Sequence, residues 1–253
     1  MSTRPALRLE NRSPVRPEGA VGPVELRLLD AFEVVVGGVA RGLPGSAQRV
    51  VAFVALHERP LLRGYVAGSL WLDASDERAA GSLRSALWRV QRAVPGLLET
   101  DGRTVRIAAA VRVDFREAER DARAVLGGDG AGVERDALAH DLLPDWYDDW
   151  VLLERERFRQ LRLRGLDALA QRLLRDGRLD RALDAALLAL SGEPLRESAH
   201  RTLVAIHLAD GNAVEALRQF RLCRRLLGDQ LGIEPSERMR ALVAGLDSSE
   251  TDG

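Results

Sequence analysis

The 253-residue chain contains no lysine: all 37 of its basic residues are arginine. That absence removes Schiff-base chemistry, the lysine of phosphate-binding loops and the lysine of protein kinases. A single cysteine, Cys223, leaves no internal disulfide and no cysteine metal cluster. Only 4% of residues are aromatic and four are histidine. No apolar run approaches the roughly 18 residues of a membrane span. Residues 1–23 are rich in Arg, Pro and Gly and lack the apolar stretch of a signal peptide. The expectation is a cytoplasmic protein with no membrane partner.

What is present suffices for a packed core. Apolar residues make up 46% of the chain and charged residues 30%, at a length that holds one large domain or two small ones. The net charge of −1 conceals an asymmetry. Residues 1–110 hold 15 Arg against 11 Asp and Glu, a balance of +4, whereas residues 111–253 hold 22 against 27, a balance of −5. A basic first half is a modest sign of a polyanion-binding region.

Residues 1–23 read as a flexible arm. Its Arg4, Arg8, Arg12 and Arg16 would either add nonspecific DNA affinity or belong to an inert tail. Residues 24–36 alternate apolar and polar side chains with strand periodicity. Gly37-Gly38 then makes a turn, and residues 39–43 can return as a short strand. Ser46 is placed to start and cap a helix carrying Val50, Phe53, Val54 and Leu56, stopped by Pro60. A second helix is expected near 63–71, then an acidic turn from Asp73 to Glu77. A third spans about 78–94 and is stopped by Pro95-Gly96. Asp101-Gly102 between two short apolar stretches signals a hairpin. Strands, three helices and a hairpin, in that order, make a winged helix-turn-helix over residues 24–110; an unspecified small α+β domain is the alternative.

On the third helix Leu83, Leu87, Val90 and Val94 share an apolar stripe. Arg78, Ser85, Arg89 and Arg92 lie opposite, flanked by Arg84 and Trp88. Between Arg78 and Gly96 there are four arginines and no acid. Such a helix fits a major-groove reader, in which Arg pairs with guanine or grips phosphate and Ser does either more weakly. The ordinary alternative is a solvated face. Arg103 and Arg106 on the hairpin are candidates for a wing contact along the backbone or in the minor groove. Trp88 either packs on the domain edge or touches sugars and base methyls.

After residue 110 helical periodicity dominates. One helix is expected over 115–126, a long one over about 148–176, and a last one over about 236–246. Asp176-Gly177 recurs as Asp210-Gly211, and Ala182-Leu183 as Ala216-Leu217, both offset by 34 residues. That offset is the tetratricopeptide period. Gly228 stands where the second repeat should end. Residues 111–247 therefore read as an all-α tetratricopeptide-like domain, followed by a tail at 248–253. The acidic-aromatic run from Asp145 to Trp150 opens the long helix. There Asp148 and Asp149 suit the positive helix end, and Trp146 and Trp150 are placed to pack domains or repeats together.

His200 and His207, two turns apart, are better placed for core or interface roles than for a metal, which would want a closer pair and a third ligand. His57 and His140 stand alone in the sequence, and Cys223 reads as a small core residue. No metal site, cofactor or catalytic arrangement is supported, so the chain is not read as an enzyme. A tetratricopeptide adaptor without specific DNA binding remains the alternative to a DNA-binding regulator.

With these elements in place, the wording of the chain resembles the Streptomyces antibiotic regulatory protein (SARP) family of transcriptional activators. SLRSALWRVQRAV resembles the recognition helix of an OmpR-type winged helix. DLLPDWYDDWVLLERERFRQLR, EPLRESAHRTLVAIHLADGNAVEALRQFRLCRRLL and LGIEPS resemble the bacterial transcriptional activation domain. The resemblance covers about residues 24–247. It implies binding to direct repeats of double-stranded promoter DNA as a homodimer, recruitment of RNA polymerase holoenzyme, and control of antibiotic biosynthesis genes. It also implies that the loop bearing Asp73, Asp76 and Glu77 faces the polymerase. Trp88 departs from the family, many of whose members carry a small or polar residue there.

Overall fold

The structure is a computed structural model that describes residues 22–246. All but the last two residues of the expected arm, and the whole tail 248–253, lie outside the described residues.

The alternating segment at 24–36 folds as two strands: β1 (Val24–Arg27) and β2 (Glu33–Val36) pair antiparallel, with Leu26 opposite Val34. The break between them is fixed from far along the chain. Asp30 has a φ of 64°, and its N–H donates to the Asp141 carbonyl at 2.7 Å. After Gly37-Gly38 the chain returns as β3 (Val39–Ala40), the edge of a sheet ordered β3-β2-β1-β7. Its last strand, β7 (Arg112–Val113), lies parallel to β1, with Val113 beside Leu26.

Between β3 and β7 run α1 (Gly45–Ala55), β4 (Leu61–Leu62), α2 (Arg63–Leu70), α3 (Asp76–Ala93), β5 (Leu98–Thr100) and β6 (Thr104–Ile107). Strands β4, β6 and β5 form a second sheet in that order. This is the winged helix-turn-helix that the order of elements implies. Ser46 does not cap α1: Pro44 precedes the helix and no side chain caps it. The Ser46 hydroxyl is engaged elsewhere, with Arg89.

The remaining elements are helical. They are α4 (Asp114–Gly127), a short 3-10 turn at Arg135–Leu138, α5 (Asp149–Arg175), α6 (Leu179–Gly192), α7 (Glu197–Ala209), α8 (Ala213–Leu231) and α9 (Glu237–Val243). Gly177 and Gly211, at φ 71° and 75°, reverse the chain between α5 and α6 and between α7 and α8. A side chain would strain that left-handed turn, which is why the 34-residue echo falls there. Ala182, Ala189 and Ala216 are fully buried between the paired helices. Gly228 does not end the second repeat. Helix α8 runs on to Leu231, and Gly232, at φ 66°, closes it.

One apolar core joins the sheets to the first helices beyond them. Leu26, Leu28, Val50, Val54, Leu83 and Val90 share it with Phe115, Leu142, Leu143, Val151 and Phe158. Arg155 of α5 holds the adjoining loop by donating to the Leu142, Leu143 and Trp146 carbonyls. The Asp114 carboxylate accepts from the N–H groups of Leu28 (2.8 Å), Leu29 (3.2 Å) and Phe115 (2.6 Å). Its burial raises its pKa against the pull of those bonds.

Candidate nucleic-acid interface

Helix α3 buries Ala79, Leu83, Ala86 and Val90 against α1 and the sheets. At 100° per residue, Trp88 lies about 140–180° around the helix from each of them. It therefore occupies the middle of the outward face rather than its flank, and its side chain is 60% exposed. Arg84 and Arg92, one turn to either side, and Ser85 are exposed on the same face. The Arg92 guanidinium carbon lies 5.2 Å from the centroid of the Trp88 ring, a cation–π stack.

Arg89 sits further round. Its Nη1 donates to the Ser46 Oγ at 3.2 Å, tying the side chain to the start of α1. A groove of about 750 Å3 opens here, lined by Ser46, Trp71, Arg78, Arg84, Ser85 and Arg89. Its charged side chains are all cationic, and its hydroxyls offer both donors and acceptors. Among the described residues none of Arg78, Arg84, Arg89 and Arg92 is paired with an acid. Such a groove suits a polyanion.

The β5–β6 hairpin presents the other two candidate arginines. Gly102, at φ 88°, makes the turn that glycine favours. The Asp101 carboxylate accepts from the backbone N–H groups of Thr104 (2.6 Å) and Arg103 (2.9 Å), which holds its pKa below the usual value. Arg103 is exposed at this tip. Arg106 is committed: it stands opposite Glu99 and donates to it through Nε at 2.7 Å, lowering the Glu99 pKa.

The acidic residues ahead of α3 divide. Asp73 lies in the loop after α2, whereas Asp76 and Glu77 form the first turn of α3, where the helix dipole favours them. The neighbouring Leu72 is 79% exposed and shares a cleft of about 780 Å3 with Tyr147, itself 78% exposed. Sequence reasoning missed both; the signal was a large apolar residue set directly beside acids in a turn.

That cleft follows the seam between the winged helix and α5. Asp148 at the N-cap and Asp149 in the first turn stand at the positive end of α5, and Asp148, which makes no side-chain capping hydrogen bond, pairs with Arg49 of α1 at 2.6 Å. Trp150 meets Phe53 edge to face at 5.2 Å, and Trp146 stacks on Phe32 at 5.8 Å. The two tryptophans thus pack the halves of the chain together.

The two histidines read as standing alone have partners. His57 Nδ1 meets the Phe53 carbonyl at 2.8 Å, and His140 Nδ1 meets Asp30 at 2.6 Å. His200 is buried between the Pro194 carbonyl and the Gln219 amide. Cys223 is buried in the α7–α9 core, and burial pushes its thiol pKa up to about 11. Among the described residues no three His, Cys, Asp or Glu side chains are grouped to hold a metal, and no helix is long and apolar enough to cross a membrane.

Comparison with known proteins accounts for both halves. Residues 105–246 match the bacterial transcriptional activator domain. The regulatory protein AfsR of Streptomyces coelicolor is 27% identical over 219 residues, covering 81% of this chain and 22% of AfsR. The chain thus spans about a fifth of the length of that relative. Among solved structures, Mycobacterium tuberculosis EmbR, in complex with a low-affinity phosphopeptide, superposes with a TM-score of 0.68 at 18% identity. That superposition covers 90% of this chain and 65% of EmbR, and it shows a shared fold. The chain belongs to the bacterial transcriptional activator domain family, and it carries a winged helix ahead of that domain.

Proposed function

We propose that the protein is a sequence-specific DNA-binding activator that sets α3 in the major groove of promoter DNA. The observation that carries this reading is the outward face of α3, where Arg84, Ser85, Trp88 and Arg92 are exposed around an acid-free centre. Arg84 and Arg92 are in position for guanine edges or phosphates, and Ser85 for a weaker contact. Arg78 and Arg89 line the adjoining groove as phosphate clamps. Arg103 at the hairpin tip makes the wing contact, with Arg106 supporting it once the Glu99 pair yields.

Two copies side by side on direct repeats need half-sites about 10–11 base pairs apart, so that both approach one side of the duplex. The exposed Leu72 and Asp73, with Asp76, Glu77 and Tyr147, offer an acidic and apolar surface on the side of the loop, which suits a basic partner such as RNA polymerase holoenzyme. The regulated genes are proposed to be those of antibiotic biosynthesis, by analogy with the family.

In vitro selection of genomic fragments by the full chain tests the reading, with Arg84→Ala/Arg89→Ala as the control. Enrichment of a direct repeat with helical-turn spacing, lost in the control, is the expected result. No enrichment even at low salt would sink it and favour a protein-binding adaptor.

A further inference from the structure

The outward face of α3 has an unusual centre. A large aromatic side chain stands there 60% exposed, ringed by Arg84, Ser85 and Arg92. One exposed apolar side chain is ordinary in itself; what distinguishes this one is its place at the middle of a cationic helix face. Trp88 is not loose on this surface. Arg92, one turn along, lies 5.2 Å from its ring centroid, so the stack restrains both side chains before any partner arrives.

Resting on the reading of α3 as a major-groove helix, we propose that Trp88 and Arg92 are a specificity-determining pair that selects thymine close to guanine. In the major groove thymine alone among the four bases presents a methyl group, and it is the apolar feature an indole can cover. Guanine presents O6 and N7, which a guanidinium takes as a bidentate pair. Trp88 and Arg92, four residues apart, are separated by about 6 Å along the axis. Successive base pairs rise about 3.4 Å, so the two side chains address bases one or two steps apart. The stack on Trp88 holds Arg92 on the outward side of α3. Trp88 thereby does two jobs: it covers the methyl and it limits the directions Arg92 can point.

The probe is a duplex carrying one selected half-site, in which each thymine is replaced in turn by deoxyuridine, which differs only by the methyl. The full chain should bind one substituted duplex about three- to fourfold more weakly, the effect of exposing one buried methyl. Trp88→Ala should bind the parent duplex more weakly and lose this discrimination. Trp88→Phe, which keeps an apolar ring, should retain part of it. A guanine within two steps of the sensitive thymine should lose its preference in Arg92→Ala.

A chain that binds the half-site but shows no methyl sensitivity overturns the proposal and leaves the DNA-binding reading standing. Persistence of the sensitivity in Trp88→Ala overturns it as well. A Trp88→Ala defect seen only on paired half-sites would place Trp88 at a contact between copies and also overturn it. Failure to bind any duplex at low salt removes both readings together.

Discussion

The ring of Phe115 at the start of α4 meets the ring of Phe158 on α5 edge to face, with centroids 5.0 Å apart. Both are almost fully buried, and both belong to the core that also contains Leu26 and Val50. The winged helix and the helical region are therefore not independent beads. Phe158→Ala should cost about 3–5 kcal/mol, lowering the urea midpoint by the same amount whether followed by helix content or by tryptophan fluorescence. Two separated transitions would contradict a shared core.

Glu99 restrains one of the two wing arginines, and both partners are about half exposed. The pair itself contributes little to stability. Glu99→Gln should leave the unfolding temperature nearly unchanged and free Arg106 for phosphate. DNA affinity should rise about two- to fivefold at low salt, with the gain fading as salt increases. Equal affinity of variant and parent at every salt concentration would remove Arg106 from the wing contact.

The surroundings of His200 favour the neutral ring. Its Nε2 donates to the Pro194 carbonyl at 2.9 Å, while Nδ1 accepts from the Gln219 amide at 2.6 Å. Burial lowers its pKa. Below the ordinary histidine value of about 6.5, the unfolded chain takes up a proton more readily than the folded one. Stability attributable to this residue is thus complete at neutral pH and declines as pH falls through that window. The melting temperature should drop between about pH 7.5 and pH 5.5, and His200→Gln should show a shallower drop. Parallel pH profiles would refute the assignment.

Asp114 serves the N–H groups of Leu28 and Leu29 at the end of β1. Asp114→Ala leaves both without a partner in a partly buried site, and should destabilise by about 2 kcal/mol in chemical denaturation. Asp114→Asn keeps one acceptor oxygen and should recover part of that loss. Equal stability of the Ala and Asn variants would mean that solvent satisfies these donors.

The elements legible in the sequence were those set by local chemistry. The period of Leu83, Val90 and Val94 located α3, Asp101-Gly102 located the hairpin, and Gly177 and Gly211 located the repeat turns. What escaped depends on partners distant in sequence. The break in the strand run at Asp30 is held by Asp141. The hydroxyl of Ser46 faces Arg89 across two helices. The commitment of Arg106 follows from a register that sets it opposite Glu99. The two-residue strand β7 is too short to carry a period of its own. The site was readable as a cationic helix face, but the central place of Trp88 needed the position of the buried stripe around the helix.

The parallel partner of β1 is made almost ninety residues later, at Arg112 and Val113. During synthesis α3 and the hairpin emerge before the sheet behind them can close, and before Phe158 can seal the core. Pairings this distant in sequence form slowly. A chain ending near residue 110 would carry α3 on α1 and α2 but without β7 and without the Leu142, Val151 and Phe158 side chains that complete the core. Completion of the core beneath α3 is thereby coupled to synthesis of the helical region.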